Sequence, residues 1–397
     1  MKRLITFFAL LFLILSFSQK KGSKFTVSYH KNIDTYFLAE ILSADHRKVN
    51  KDFELFKIKN CSTYQPIVKR ALEKYGHLKN SKIAYLTAKI NDTLIQKYGI
   101  GNDAIMKPLL SYNEFPLKGW YDNYKFESNT LTKAQNEEVT SLIKSYIAEL
   151  ELFYNQEKIG GFFQENKAFY EGAIAEYSRQ IPVNFTSAME AFYGEGFRKY
   201  IVLISPMMMW PIDDNEGRGI GTDVKDKSGN KTIYEIASPF MRVEKQGQFG
   251  YDNQFQARFL TVHEFGHSFV NKEVYRHKER LEKFKDLFEK SNLKEIMTKT
   301  SGVADYQTCV VEHLVRLGEI QTAKIQNDDE RAKKLEKYHL NNYFLFLPQL
   351  EEKIKEYDAN RSRYKTFGDF VPELIKVFEN SNIEYINKEI ETIKKTR

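Results

Sequence analysis

The chain has 397 residues, 42% hydrophobic and 28% charged, with 60 Lys+Arg against 53 Asp+Glu for a net charge of +7. That length suits one large domain or two closely packed ones, and no Pro/Gly/Ser-rich linker, internal repeat or low-complexity segment divides it. The charge excess is mild, and basic residues alternate with glutamates as in Lys278-Glu279-Arg280 and Glu351-Glu352-Lys353. Such runs are solvated helix faces, so nucleic-acid binding is not indicated.

In chain order, residues 1–18 read as a secretory signal peptide. Lys2 and Arg3 precede an apolar run from Leu4 to Phe17, too short to span a bilayer comfortably, and Ser16 and Ser18 have the spacing a signal peptidase accepts. Cleavage after Ser18 leaves Gln19 as the mature start and, by removing Lys2 and Arg3, lowers the charge from +7 to +5. The alternative is an uncleaved anchor. No cysteine follows the run, so a lipid anchor is not expected, and no later stretch is apolar and long enough to cross a bilayer. The expectation is a secreted product, periplasmic or extracellular, with no stable membrane insertion after cleavage. Cys61 and Cys309 are the only cysteines. They fit one disulfide or two buried thiols equally.

Residues 24–29 alternate like a short strand. Helical periodicity follows over 33–42, 64–75, 83–98, 132–156 and 162–179. The aromatics, 14% of the chain, are spread through these segments as core residues are. Residues 200–205 form a β-branched run bounded by Pro206, and 233–240 a second one ending at Ser238-Pro239. Between them, 213–231 reads as a polar, glycine-rich loop. Gly217, Gly219 and Gly221 do not make a dinucleotide fingerprint, and Asp223, Asp226 and Asn230 only hint at a calcium loop. Helices are expected again over 255–270, 278–289, 306–325 and 329–357, with two more after Gly368. The pattern is α+β and predominantly helical. Residues 19–195 form a mostly helical N-terminal part, packed on or belonging to the same domain as a catalytic part over 196–397.

The segment 255–270 carries His263-Glu264-Phe265-Gly266-His267, an H-E-x-x-H sequence. On a helix, residues four apart lie about 40° apart around the axis and roughly 6 Å along it. Both imidazoles therefore leave one face and can grip one metal ion, Zn²⁺ being the expected cofactor. Glu264, about 100° around, flanks the metal as a general base instead of ligating. The plain alternative is a surface helix. It fits poorly, because Phe259, Leu260, Val262, Phe265, Phe269 and Val270 make the segment apolar on nearly all sides.

A catalytic zinc takes three protein ligands and keeps one position open. Three residues compete for the third place. Glu273 lies six after His267, but Val270 stands where a helix-breaking glycine is needed to turn it back. Glu312 sits in the apolar segment Val310-Val311-Glu312-His313-Leu314-Val315, where a buried carboxylate needs a cation, and Arg316 one turn on can hold its other oxygen. The bland reading is a Glu312–Arg316 pair on an exposed helix edge. His313 is about 100° around from Glu312, so only one of the two can face the metal. Asn271, one turn past His267, is either a partner of that imidazole or a helix-end cap. His30, His46, His77 and His339 have no ligand-like spacing and read as surface or capping residues.

With these residues the chain resembles the gluzincin branch of the zincin metallopeptidases, through His263-Glu264-x-x-His267 and a downstream Glu312. The wider context, HEFGHSFVN followed by EHLVR, is similar to an uncharacterised family of secreted bacterial proteins of the "domain of unknown function" type in the zincin-like group. So are Phe37-Leu-Ala-Glu-Ile-Leu42 and Tyr64-Gln-Pro-Ile-Val68. The resemblance implies a zincin-like core with a small sheet and a peptide or protein substrate. The expected reaction is zinc-dependent peptide hydrolysis with His263, His267 and Glu312 as ligands and Glu264 as base. Two alternatives stand beside it: a zinc amidase or deacylase acting on cell-wall or other non-protein amides, and a non-catalytic secreted zinc-binding protein. The strand at 200–205 is a candidate edge for pairing with an extended peptide.

Overall fold

The computed structural model describes residues 24–111, 113–116, 124–128, 130–212, 217–226 and 228–396. The expected signal peptide and its cleavage site lie outside these residues. β1 (Phe25–Ser28) leads into α1 (Lys31–Ser43), α2 (Lys51–Tyr64), α3 (Pro66–Tyr75), α4 (Lys82–Tyr98) and α5 (Asp103–Ser111). The helices α6 (Lys133–Gln156), α7 (Ile159–Glu165), α8 (Lys167–Ser178) and α9 (Phe185–Tyr193) follow. Next come the strands β2 (Lys199–Ile204), β3 (Gly219–Lys225) and β4 (Lys231–Ala237) and the motif helix α10 (Gln254–Tyr275). The rest is helical: α11 (Lys278–Glu282), α12 (Asp286–Glu289), α13 (Leu293–Ser301), α14 (Tyr306–Ile325), α15 (Asp329–Asn341), α16 (Leu347–Ala359), α17 (Phe367–Glu379) and α18 (Ile383–Thr396). The architecture is α+β and mostly helical.

Several expected elements are divided. The helix expected over 162–179 breaks at Asn166, whose side-chain amide donates to the Phe162 carbonyl at 2.9 Å, a local bond that competes with the helical ladder. The one expected over 329–357 breaks after Asn341, where Tyr343 takes a positive φ of 66° and Pro348 opens α16. The region 278–289 likewise holds two short helices. α2, α5, α9 and α13 lacked a sequence signal strong enough to be expected.

The sheet has four strands in the order β1-β2-β4-β3. β1, β2 and β4 run parallel, and β3 is antiparallel to β4 at one edge. β1, from the N-terminal part, pairs with β2, so the two parts of the chain share one sheet. β2 is interior, between β1 and β4, so residues 200–205 are not an edge; β3 is. That strand lies inside the stretch expected to be a loop. Its hairpin turn is built by Asp226, whose carboxylate accepts from the Ser228 and Asn230 amides at 2.8 and 2.9 Å. Asp223 lies between Lys107 and Lys231. The acidic residues that hinted at calcium are thus taken up by the turn and by ion pairs.

α10 starts at Asn253, whose side chain accepts from the Gln256 amide, and α14 starts at Asp305, which caps Thr308 in the same way. Gly266 faces the contact between the two helices, and Gly318 faces Tyr193 of α9, whose hydroxyl also approaches Gly266. A β-carbon on Gly266 would sit 3.1 Å from Val315 Cγ1, and one on Gly318 would collide with the Tyr193 hydroxyl. Tyr193 is fully buried, stacked on Phe269 at 4.1 Å, and its hydroxyl has no hydrogen-bond partner. Replacing Gly318 by Ala should therefore destabilise the fold by about 1–3 kcal/mol, as overpacking does. The penalty should shrink in a Tyr193→Phe background, which removes the clashing and unsatisfied oxygen. Denaturant unfolding of the four proteins in this cycle tests the point. An unchanged penalty would show that the hydroxyl is not what limits the packing at Gly318.

Candidate metal centre

One turn of α10 and one residue of α14 build the centre. His263, His267 and Glu312 bring one potential ligand atom each to within 4.8 Å of one another. His263 Nε2 and His267 Nε2 are 3.1 Å apart, and the Glu312 carboxylate lies 3.8 Å from the first and 3.5 Å from the second. Tetrahedral zinc with ligands at about 2.0–2.1 Å places neighbouring donors about 3.3 Å apart, and the two imidazole nitrogens and the Glu312 carboxylate are spaced close to that.

The outer nitrogens explain why the inner ones converge. His263 Nδ1 donates to Glu319 Oε1 at 2.9 Å, and His267 Nδ1 to Asn271 Oδ1 at 3.0 Å. Both acceptors lack a proton to give, so in the neutral rings both Nε2 atoms are bare lone pairs aimed at one another. Only a proton or a cation between them relieves that arrangement. Burial pushes His263 down, but its bond to Glu319 and the charge of Glu312 outweigh this and leave it above its ordinary value. The same field favours a metal cation.

Glu312 was one of three candidates, and it is the one the fold delivers. Burial pushes its carboxyl up, but Arg316, then His267 and His263, hold it down at about 2. Arg316 Nη1 donates to Oε2, leaving Oε1 toward the histidines. The guanidinium is itself fixed over the Phe344 ring at 3.8 Å. His313 points the other way. It is fully buried, bonded through Nδ1 to the Cys309 carbonyl at 2.7 Å and ringed by Phe344, Phe346 and Phe378. Burial lowers it to about 3. Glu273 pairs with Arg276 on another face of α10. Cys61 and Cys309 are both buried, and no disulfide joins them.

A second tier went unrecognised in the sequence. Glu319 is fully buried and joins His263 to His339, whose Nε2 donates to Glu319 Oε2 at 2.8 Å. Burial pushes Glu319 up, but His339 and His263 hold it well below the ordinary carboxylate range. His339 is thus no surface or capping residue: it too is fully buried. The available signal was Glu319 itself, two turns after Glu312 and so on nearly the same helix face.

Glu264 lies beside the triangle, almost wholly buried, against the edge strand. A β-carbon on Gly221 would approach its Oε2 to 2.9 Å, and one on Gly219 would enter the carboxylate. The two glycines are therefore gaps that admit Glu264, not loop hinges. Opposite Gly221, β4 presents Glu235 to the same face. Glu235 is fully buried, accepts from the Tyr177 hydroxyl at 2.8 Å, and is pushed up to about 8 by burial, with a smaller contribution from the Glu264 charge.

The site is open to solvent. The side chains of His263, His267 and Glu312 retain 12%, 20% and 15% exposure, so a fourth coordination position is reachable. His267 also lines a cleft of about 450 Å³ between β3 and the C-terminal half of α10. β3 turns Arg218 and Asp226 toward its partner strand, so by alternation the amides and carbonyls of Gly219, Gly221 and Asp223 face away from β4.

The profile of a domain of unknown function, DUF4932, matches residues 127–377. The chain belongs to this family. Every residue of the centre lies within the DUF4932 segment, whereas β1 and α1–α5 precede it. No curated protein and no solved structure matches the chain.

Two predictions follow from the geometry. Metal analysis by mass spectrometry should find Glu312→Ala depleted of metal and His313→Ala loaded like the wild type. The reverse result would make His313 the ligand. Glu235 binds its proton more tightly folded than unfolded, so its stabilising contribution is complete below about pH 4.5 and is lost as pH rises through about 8. In metal-free protein, the melting temperature of Glu235→Gln should therefore gain on the wild type between pH 5 and pH 9, by the equivalent of a few kcal/mol. A pH-independent difference would contradict the buried, protonated carboxyl.

Proposed function

We propose that this DUF4932 protein is a zinc-dependent hydrolase of the gluzincin type, a metallopeptidase acting on extended polypeptide. The observation that carries the reading is the convergence of His263, His267 and Glu312 beside a buried Glu264 that lies against an edge strand. The donor set, two imidazoles and one carboxylate, suits zinc. When bound there, zinc supplies Lewis acidity and a nucleophile potent at neutral pH.

The residues of the chain do the rest. Glu264 accepts the proton of the attacking water and passes it to the leaving amine. Its carboxylate is confined between α10 and the gap at Gly219 and Gly221, so it meets the water in one orientation. Glu319 and Asn271 fix the two imidazoles by their outer nitrogens, and Arg316 fixes Glu312. The outward-facing amides and carbonyls of β3 can pair with an extended chain, holding a peptide bond alongside the base. This strand, rather than residues 200–205, is the support for a peptide substrate over a non-polymeric amide. Three donors and an exposed fourth side favour a catalytic over a purely structural ion. The charged and apolar N-terminal run supports action outside the cytoplasm.

The test is Glu264→Gln. It should retain the wild-type metal content while losing about 10²- to 10⁴-fold in the rate of cleavage of a denatured protein such as casein. Loss of metal along with activity would give Glu264 a structural role. Cleavage that survives the substitution would remove it as the base.

A further inference from the structure

The cleft beside His267 has a charge balance of its own. Lys272 and Arg276 project from α10 one turn apart, and Lys231 enters from β4 across the floor. Lys231 is only partly exposed, and its nearest carboxylate, Asp223, is 3.7 Å away and shared with Lys107 at 3.4 Å. Burial, together with Lys107 and Lys225, pulls the Lys231 ammonium below its ordinary value, outweighing Asp223 and Glu195. Another carboxylate, Glu273, is taken by Arg276. Of the described residues lining the cleft, Lys231, Lys272 and Arg276 are cations and Asp223 is the one carboxylate, while Glu195 and Glu273 act on the Lys231 side and Asp305 and Glu312 on the Tyr275 side.

The cleft is continuous with the catalytic elements. His267 forms one wall, and Gly221, Thr222 and Asp223 of the edge strand form the other. A chain paired with β3 and placed beside Glu264 would lay its next side chains into this basic volume. About 450 Å³ accommodates one or two residues, not a globular surface.

We propose that this cleft is an anionic-substrate subsite, and that the hydrolase takes peptides carrying aspartate or glutamate on the His267 side of the bond to be cut. The inference rests on the peptide-hydrolase reading. Lys231 and Lys272 are specificity residues here, and both line the cleft with His267.

The experiment uses the full chain, zinc-loaded and carrying Glu264→Gln so that ligand survives. Three fluorescent peptides of one length, differing only in Glu, Gln or Lys at two adjacent positions, are titrated in low salt, each with a free and with an amidated C-terminus. The Glu peptide should bind about 5- to 10-fold more tightly than the Gln peptide, the Lys peptide more weakly than both. The preference should shrink in high salt and disappear in the Lys231→Gln/Lys272→Gln variant. Equal binding of the three overturns the proposal, as does a preference that depends only on the free C-terminus. Cleavage mapping with the active protein on a mixed peptide library separates this inference from its premise. Cuts without acidic enrichment overturn the subsite alone. No cuts, with the Glu preference intact, overturn the hydrolase reading and leave the anion site standing.

Discussion

Two imidazole nitrogens held 3.1 Å apart, each with its outer nitrogen committed to an acceptor, are the constraint on which the rest of this molecule turns. Neutral rings in that arrangement repel, and the fold still enforces it from three directions. Helix α10 sets the spacing, Glu319 and Asn271 set the ring rotations, and Glu312 brings a negative charge to the open side. Such a concentration of lone pairs and charge calls for a proton or a cation between the rings, and the cation is the one we propose. Glu319 is itself unavailable to water, and its charge is answered by His339 and His263.

The scaffold serves that constraint. Glu312 reaches α10 because Gly266 leaves room for Val315 of α14, while Gly318 lets α14 close on Tyr193 of α9. Gly266 lies within the H-E-x-x-H sequence, so one pentapeptide supplies His263, His267 and Glu264 of the proposed site and the clearance beside Val315 of α14. On the other side, Gly219 and Gly221 let β3 lie directly on Glu264. Glu264 is thus held between a helix and an edge strand whose outward backbone groups lie alongside it. A buried carboxylate, an open face on the donor triangle and a strand edge in one place support the proposed peptide hydrolysis.

How much of this was legible in the sequence depended on the range of the signal. The motif and the helix of residues 306–325 are local patterns, and both elements appear where periodicity placed them. Glu312 was legible as a carboxylate with no apolar excuse, and Arg316 as its partner. The choice against His313 was not, because it turns on which face of α14 meets α10, a tertiary fact. β3 was read as loop because its glycines erase the apolar alternation that marks a strand. Their reason, room for Glu264, lies on another element. His339 and Glu235 were illegible for the same reason: each is defined by a partner far away in the chain, Glu319 and Tyr177 respectively. The break at Asn166 was visible as a residue but not as a break, since asparagine is compatible with a helix interior until its side chain finds a backbone group; the break after Asn341 turns on Asn342, whose amide donates to the Tyr338 carbonyl, and on the positive φ of Tyr343.

The central claim is that this triangle of donors is a metal site. Anomalous diffraction from crystals of the purified protein, measured on both sides of the zinc absorption edge, tests it most directly. The account predicts a single peak about 2.0–2.1 Å from His263 Nε2, His267 Nε2 and a Glu312 oxygen, with one position left to solvent. A zinc peak elsewhere, a fourth protein ligand, or crystals of zinc-supplemented protein with no peak at these three residues would contradict it.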